Sequence, residues 1–524
     1  MPRVLVADPI AEAGINRLRE HADVDVELRQ SPAALVERIE KYDALIVRSE
    51  TRVDAKVIMA GTRLKVIGRA GAGVDNIDVE AATRAGVLVV NAPSGNTIAA
   101  AEHTMAMMLA LARHIPQADQ AVKGGRWERS RFLGTELREK VLGIVGLGSI
   151  GREVAHRAQA FGMRVIATDP VLSEERASQL NVRLMPFDRL MAEADLVSLH
   201  VPLTRETHHL IDSRALAMAK PGLRLINVAR GGIVDETALR SALRDGQVAG
   251  AALDVFEQEP PGENPLLSLP QVITTPHLGA STEEAQISVA LEITDQVIAV
   301  LDGGLPRFAL NAPVALPEAM AFLRPFIPVA EGIGRFFAQA GRQPATRLQV
   351  DYVGEIATYD CSVLTAALLT AFLSRFSAER VNPVNARAVA AAHGITVVEQ
   401  RAAHPTEFAN LISLQAAGEH GSTRVGGTLL LNEPHIVQFN DFRIDLVPQG
   451  TFLMSWHADR PGVIGAIGTL LGQRNINIAS MQVGRDRPRG DAVMILSVDD
   501  PVPESIQAEI RRIPGMADVL TVTL

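Results

Sequence analysis

The segment that most constrains the fold is the β-branched run at residues 141–145, followed by Gly146-Leu147-Gly148-Ser149-Ile150-Gly151 and a helix-like stretch at 152–161. A strand entering Gly-x-Gly-x-x-Gly and then a helix predicts a dinucleotide-binding unit. Gly146 permits a tight turn, Gly148 lets the backbone approach a pyrophosphate, and Gly151 allows close helix–strand packing, while free N–H groups of the helix start face the anion. Asp169 closes the next apolar run, 18 residues beyond Gly151. That is near the spacing of a carboxylate that bonds the adenosine ribose hydroxyls. Pro170-Val171-Leu172 follow it, with no arginine to receive a 2′-phosphate, so NAD is favoured over NADP.

Strand-like runs at 164–169, 196–201, 223–229, 251–256 and 272–276 continue from this unit with helical stretches between them, predicting a doubly wound α/β domain. Runs at 4–8, 44–48, 64–69 and 87–91 are apolar on both faces and predict a smaller parallel sheet before it. Helical segments 96–114 and 281–302 connect the two. The expected division is 1–97, completed by about 288–308; a Rossmann domain at 98–287; a mixed α+β region at 309–450; and 451–524. This last piece reads strand, helix, strand, strand, helix, strand, the ferredoxin-like order.

A formal charge of −9 argues against a partner presenting a phosphate backbone, so no nucleic acid is expected. One cysteine, Cys361, makes neither an internal disulfide nor a thiolate metal site, which fits a reducing cytoplasm and no metal. No run of about 18 apolar residues predicts a membrane span.

The chemistry-bearing residues stand at predicted strand ends, where open α/β sheets bind ligands. Arg230 follows the run 223–229, Glu259 follows 251–256, and His277 follows 272–276. The arginine fork suits the carboxylate and reacting oxygen of a 2-hydroxy or 2-keto acid. A histidine can accept the hydroxyl proton, and a neighbouring carboxylate can orient its ring. Arg48 and Arg69, at strand ends of the first sheet, suggest a second anionic group, plausibly a phosphate. The glycine turn that includes Ala72 and Gly73 offers backbone N–H groups to the substrate carboxylate.

Val47-Arg48-Ser49, residues 68–78, 146–151, 226–232 and 254–260, and Thr275-Pro276-His277-Leu278-Gly279 together resemble the D-isomer-specific 2-hydroxyacid dehydrogenases, and the match spans essentially the whole chain. The length and order of parts are similar to long-form members, whose architecture is two Rossmann/flavodoxin-like domains around a cleft, an intervening domain and a C-terminal ACT domain. The resemblance implies Arg230, Glu259 and His277 as the catalytic set. It implies Ser149, Ile150, Asp169, Arg230, Asp254 and His277 along the NAD site, and Arg48 and Arg69 on the substrate.

The implied reaction is NAD-dependent oxidation of 3-phospho-D-glycerate (3-phosphoglycerate) to 3-phosphooxypyruvate, the entry to L-serine. A reductase of glyoxylate, hydroxypyruvate or another 2-keto acid, and a non-catalytic NAD(H)-sensing relative, are the alternatives. In the tail, His457-Ala458-Asp459-Arg460-Pro461-Gly462 and Asn475-Ile476-Asn477 resemble the ACT module. Asp459 and Pro461 suit a helix start that binds a carboxylate, with His457, Asp459 and Asn477 available to an amino group or hydroxyl; the resemblance implies L-serine as effector. Trp127, Arg129 and Arg131 resemble an arm reaching a neighbouring subunit, implying a homotetramer.

Overall fold

The computed structural model describes the 524-residue chain except residues 305, 314–316, 342–345, 378, 405–406 and 419–420. The described strands form four sheets. The first is parallel throughout, in the order Asp23–Val26, Arg3–Val6, Ala44–Val47, Val66–Arg69, Leu88–Asn91. Ala44–Val47 is buried along its whole length, as an inner strand covered on both faces must be; Leu88–Asn91, last in the order, is buried as well, with Ala309 bridging Val90 on its outer side. The long helix Glu283–Leu301 lays Val289, Ile293, Val297 and Ile298 on one face of this sheet, against Val4, Val6, Ile46 and Val90.

Asp23–Val26 is a strand the sequence pattern does not announce. It alternates acid with valine and lies at the edge, where Arg3 pairs with Asp25 at 2.7 Å. An edge strand has one neighbour and half-exposed faces, so it need not carry the continuous apolar run expected of an inner parallel strand.

The second sheet is also parallel, with seven strands in the order Val272–Thr274, Val248–Leu253, Leu223–Asn227, Leu196–Leu199, Val141–Val145, Arg164–Thr168, Arg183–Leu184. The strand order reverses beside Val141–Val145, which places the glycine turn at a topological switch point. Helix Thr97–Arg113 buries Met105, Met107, Met108 and Leu111 with Leu142, Ile144, Ile226 and Ile273 of the sheet.

The third sheet has six strands. Arg347–Gly354 pairs in parallel with Thr396–Ala402, and the remaining pairs are antiparallel. Its core, with Phe336, Tyr352 and Leu368, runs on into Phe452, Met454, Val493 and Ile495 of the last sheet. That last sheet, ordered Ile478–Arg485, Asp491–Val498, Thr451–Ala458, Met516–Thr523, is antiparallel and carries helices Val463–Gln473 and Glu504–Ile510. It is the ferredoxin-like arrangement expected from the order of its elements. Among the described residues no helix is long and apolar enough to cross a membrane, and no cluster of metal-ligating side chains occurs.

Candidate active site

Gly146 has φ +91°, a backbone conformation that favours glycine. A Cβ on Gly151 would lie 2.2 Å from the Gly146 carbonyl oxygen, so the helix can start this close to the strand only with glycine there. A Cβ on Gly148 would meet no atom within 4 Å, which leaves open space over the turn. Ser149 and Ile150 form the first turn of helix Ser149–Ala160, whose N–H groups face that space.

Asp169 Oδ2 accepts the Leu147 N–H at 2.8 Å, tying the glycine turn to the end of the neighbouring strand. Burial alone would raise the Asp169 carboxyl, but the Val171, Leu147 and Leu172 N–H groups hold it below its ordinary value, so it remains anionic. An open cradle with a fixed carboxylate at its rim fits NAD, and like charge disfavours a 2′-phosphate.

A cavity of about 660 Å³ separates the C-terminal strand ends of the two parallel sheets. Arg48, Arg69, Ala72, Gly73, Arg230, Glu259 and His277, all singled out by sequence, line it together. His277 Nδ1 lies 2.7 Å from Glu259 Oε2. Burial pushes the Glu259 carboxyl upward, but the hydrogen bond and charge of His277, with the Phe256 N–H on Oε1, bring it below its usual value. Glu259 is therefore the acceptor, Nδ1 the donor, and Nε2 carries the free lone pair.

His277 has φ +57°. Its turn is fixed by Asp254, whose backbone oxygen accepts the His277 N–H at 2.9 Å and whose carboxylate accepts those of Leu278 (2.7 Å) and Gly279 (2.9 Å). Thr275 Oγ1 and His103 Nε2 also bond that carboxylate, at 2.5 and 3.3 Å. Burial raises the Asp254 carboxyl and these bonds more than offset it. Asp254 is fully buried beneath the histidine turn that its carboxylate holds.

The pocket carries four arginines, Arg48, Arg52, Arg69 and Arg230, against two carboxylates, Asp75 and Glu259. Arg69 is the most confined: burial, then the charges of Arg230 and Arg48, push its guanidinium down to about 10. Its Nε is buried without a partner among the described residues. A concave site with an excess of cations and an unmatched donor suits a multiply charged anion. Arg52, Asp75 and His103 were not singled out by sequence. Arg52 lies only four residues beyond Arg48 and was within reach of the same reasoning; Asp75 lies two residues beyond Gly73, but its partner Arg230 is brought to it only by folding, and His103 comes from a separate segment.

In the ACT unit His457 and Asp459 stay together at one strand end, and Asn477 is parted from them. His457 is only 4% exposed, and its Nδ1 is buried without a hydrogen-bond partner among the described residues. Asp459 does not cap the following helix, which starts at Gly462 (φ +95°) without a side-chain cap; its carboxylate instead accepts the Arg489 N–H (2.9 Å) and Arg485 (3.2 Å). Asn477 donates to Asp499 at 2.7 Å. It precedes Ile478, which pairs with Val498, whereas Asp459 follows Ala458, which pairs with Asp491. The two residues thus stand at opposite ends of eight-residue strands, roughly 23 Å apart along the sheet.

Three family models match the chain: the D-isomer specific 2-hydroxyacid dehydrogenase NAD binding domain over residues 105–279, the D-3-phosphoglycerate dehydrogenase intervening domain over 322–440, and the ACT domain over 452–515. The chain is 48% identical to the D-3-phosphoglycerate dehydrogenase of Synechocystis sp., covering 100% of this chain and 95% of that one. It is 44% identical to the one of Archaeoglobus fulgidus, with 100% of both chains covered. Among solved structures, a glyoxylate reductase from Paecilomyes thermophila aligns with TM-score 0.56 at 32% identity, over 59% of this chain and 98% of its own. The D-lactate dehydrogenase of Aquifex aeolicus, complexed with NAD and lactic acid, aligns with TM-score 0.53 at 29% identity, over 57% of this chain and 96% of its own.

Proposed function

The chain belongs to the D-3-phosphoglycerate dehydrogenase family of NAD-dependent D-2-hydroxyacid dehydrogenases, and from that premise we propose that it oxidises 3-phospho-D-glycerate to 3-phosphooxypyruvate, the first step towards L-serine. The observation that carries this reading is the joining, in one cleft, of the His277–Glu259 pair with an excess of arginines. NAD, when bound, supplies the hydride acceptor.

The protein's part is binding, orientation and proton movement. Arg230 engages the substrate carboxylate and α-oxygen, and N–H groups of the turn at Ala72 and Gly73 share the carboxylate. Arg48 and Arg69 hold the phosphate, whose charge offsets the repulsion among the arginines. His277 Nε2 takes the hydroxyl proton, and the Glu259 carboxylate stabilises the imidazolium so formed. Approach of the two sheets excludes water from the cleft. The glycine turn 146–151 and Asp169 hold the dinucleotide.

Residues 1–97, completed by about 288–308, serve as the substrate-binding domain and 98–287 as the NAD-binding domain. Residues 309–450 serve assembly and regulation, and 451–524 bind an effector, for which L-serine is the reading. Asp459 and Asn477 stand too far apart to touch one amino acid within a chain, so each meets its ligand from a different subunit or acts alone. An exposed arm at Trp127 (78%) and Leu133 (86%) supports assembly into a homotetramer. The single, buried Cys361 accords with work in the cytoplasm. The test is NADH formation from 3-phospho-D-glycerate with a trap for the keto product, compared with D-glycerate and repeated with added L-serine.

A further inference from the structure

Arg230 belongs to the second sheet and Asp75 to a loop of the first, 155 residues away. Their side chains meet across the cleft, with Arg230 Nε 3.2 Å from Asp75 Oδ2. A second edge of the guanidinium is also held, because Nη1 donates to the Ala229 carbonyl at 2.7 Å. The third faces the glycine turn: a Cβ on Gly73 would lie 2.0 Å from Arg230 Nη2. The fork is therefore fixed on two sides and aimed with its remaining nitrogen at the backbone that lines the substrate cavity.

We propose that Asp75 is a positioning residue that aims Arg230 at the substrate carboxylate across the cleft. The inference rests on the role given above to Arg230, and it adds a residue to the machinery. Two physical points favour aiming over a purely structural ion pair. Asp75 is 61% exposed, and a pair this open contributes little to fold stability. Arg230 also stands close enough to Arg48 and Arg69 to share one pocket of like charge, and its charge is among the causes that depress Arg69. An arginine stem is flexible, and without an anchor on Nε this repulsion drives the guanidinium out of the cleft. Because the anchor sits on the first sheet, the aimed state forms only when the two sheets are this close, which ties orientation of the substrate to closure.

The experiment is a double-mutant cycle on the full-length enzyme: wild type, D75N, R230K and D75N/R230K, with D75E as the conservative variant. Initial rates with 3-phospho-D-glycerate at saturating NAD give kcat and KM, and NADH fluorescence gives cofactor affinity. D75N is expected to lower kcat/KM by roughly 10- to 100-fold, as misorientation does. NADH affinity should stay within about twofold, because the cradle lies wholly on the second sheet. D75E should recover part of the loss. In the R230K background, where the Nε donor is gone, D75N should cost less than about twofold. An equal loss in both backgrounds, or no loss in the wild-type background, overturns the proposal. If wild type binds NADH but is inert to the phosphorylated acid, the substrate reading fails on its own; the same cycle, run in the reductive direction with hydroxypyruvate, then decides the role of Asp75.

Discussion

His277 Nδ1 and Glu259 Oε2 stand 2.7 Å apart, and Glu259 is anchored in turn by the Phe256 N–H. The pair sets the tautomer: with Nδ1 donating, the basic nitrogen is the one free to meet a substrate hydroxyl. Glu259→Gln keeps the size of the side chain but removes the charge that stabilises the imidazolium. Turnover should fall by about 10- to 100-fold, and His277→Ala should cost roughly 10² to 10⁴. Steady-state kinetics with unchanged NADH affinity is the check; undiminished turnover in either variant contradicts the assignment.

Arg69 illustrates a site held at some cost to the fold. A base whose folded-state value is lowered to about 10 is penalised in the folded state while charged, and that penalty fades only as pH rises above about 10. At pH 7 to 8, Arg69→Met should therefore be more stable than wild type, by on the order of 1–3 kcal/mol. The same variant should raise KM for the phosphorylated acid at least tenfold. Thermal melts without substrate, paired with initial rates, read both effects. A lower melting temperature for the variant would show that the arginine is not strained.

Asp195 shows the opposite sign. Oδ2 accepts the Val141 N–H at 2.8 Å and Oδ1 the Lys220 ammonium at 2.6 Å, locking the start of the cofactor strand. Burial raises the Asp195 carboxyl, and these bonds bring it net below its ordinary 3.8. A depressed carboxyl contributes stability above its unfolded value and loses it as pH falls through the folded one. Asp195→Asn should cost roughly 1–3 kcal/mol at pH 7 through the lost hydrogen bonds, and the gap should narrow at a pH below the ordinary 3.8. Urea midpoints for both proteins at the two pH values test the sign.

Much of this was legible in sequence because inner parallel strands must be apolar throughout and their ends must carry the polar chemistry. That logic led directly to Arg48, Arg69, Arg230 and His277. It did not reveal Asp23–Val26, whose edge position relaxes the pattern, nor Arg183–Leu184, which is too short to carry one. Asp75 and His103 escaped for another reason. Each acts on a partner more than 150 residues away, and no local spacing encodes such a contact. Asp254 stands at a strand end like the others, yet its depth beneath the His277 turn shows only in the hydrogen bonds it receives. In the ACT unit the motifs were readable, but the direction of the strands, which parts Asp459 from Asn477, was not drawn from them.

The central claim is that one cleft couples proton removal by His277 to recognition of a phosphorylated 2-hydroxy acid by the arginines. The most direct measurement is NADH appearance at alkaline pH with a keto trap, comparing 3-phospho-D-glycerate with D-glycerate in wild type and Arg69→Met. The account predicts rapid turnover of the phosphorylated acid, a kcat/KM for D-glycerate at least about 100-fold lower, and a much smaller gap in the variant. Equal use of the two acids by wild type, or a preference left intact in Arg69→Met, would contradict it.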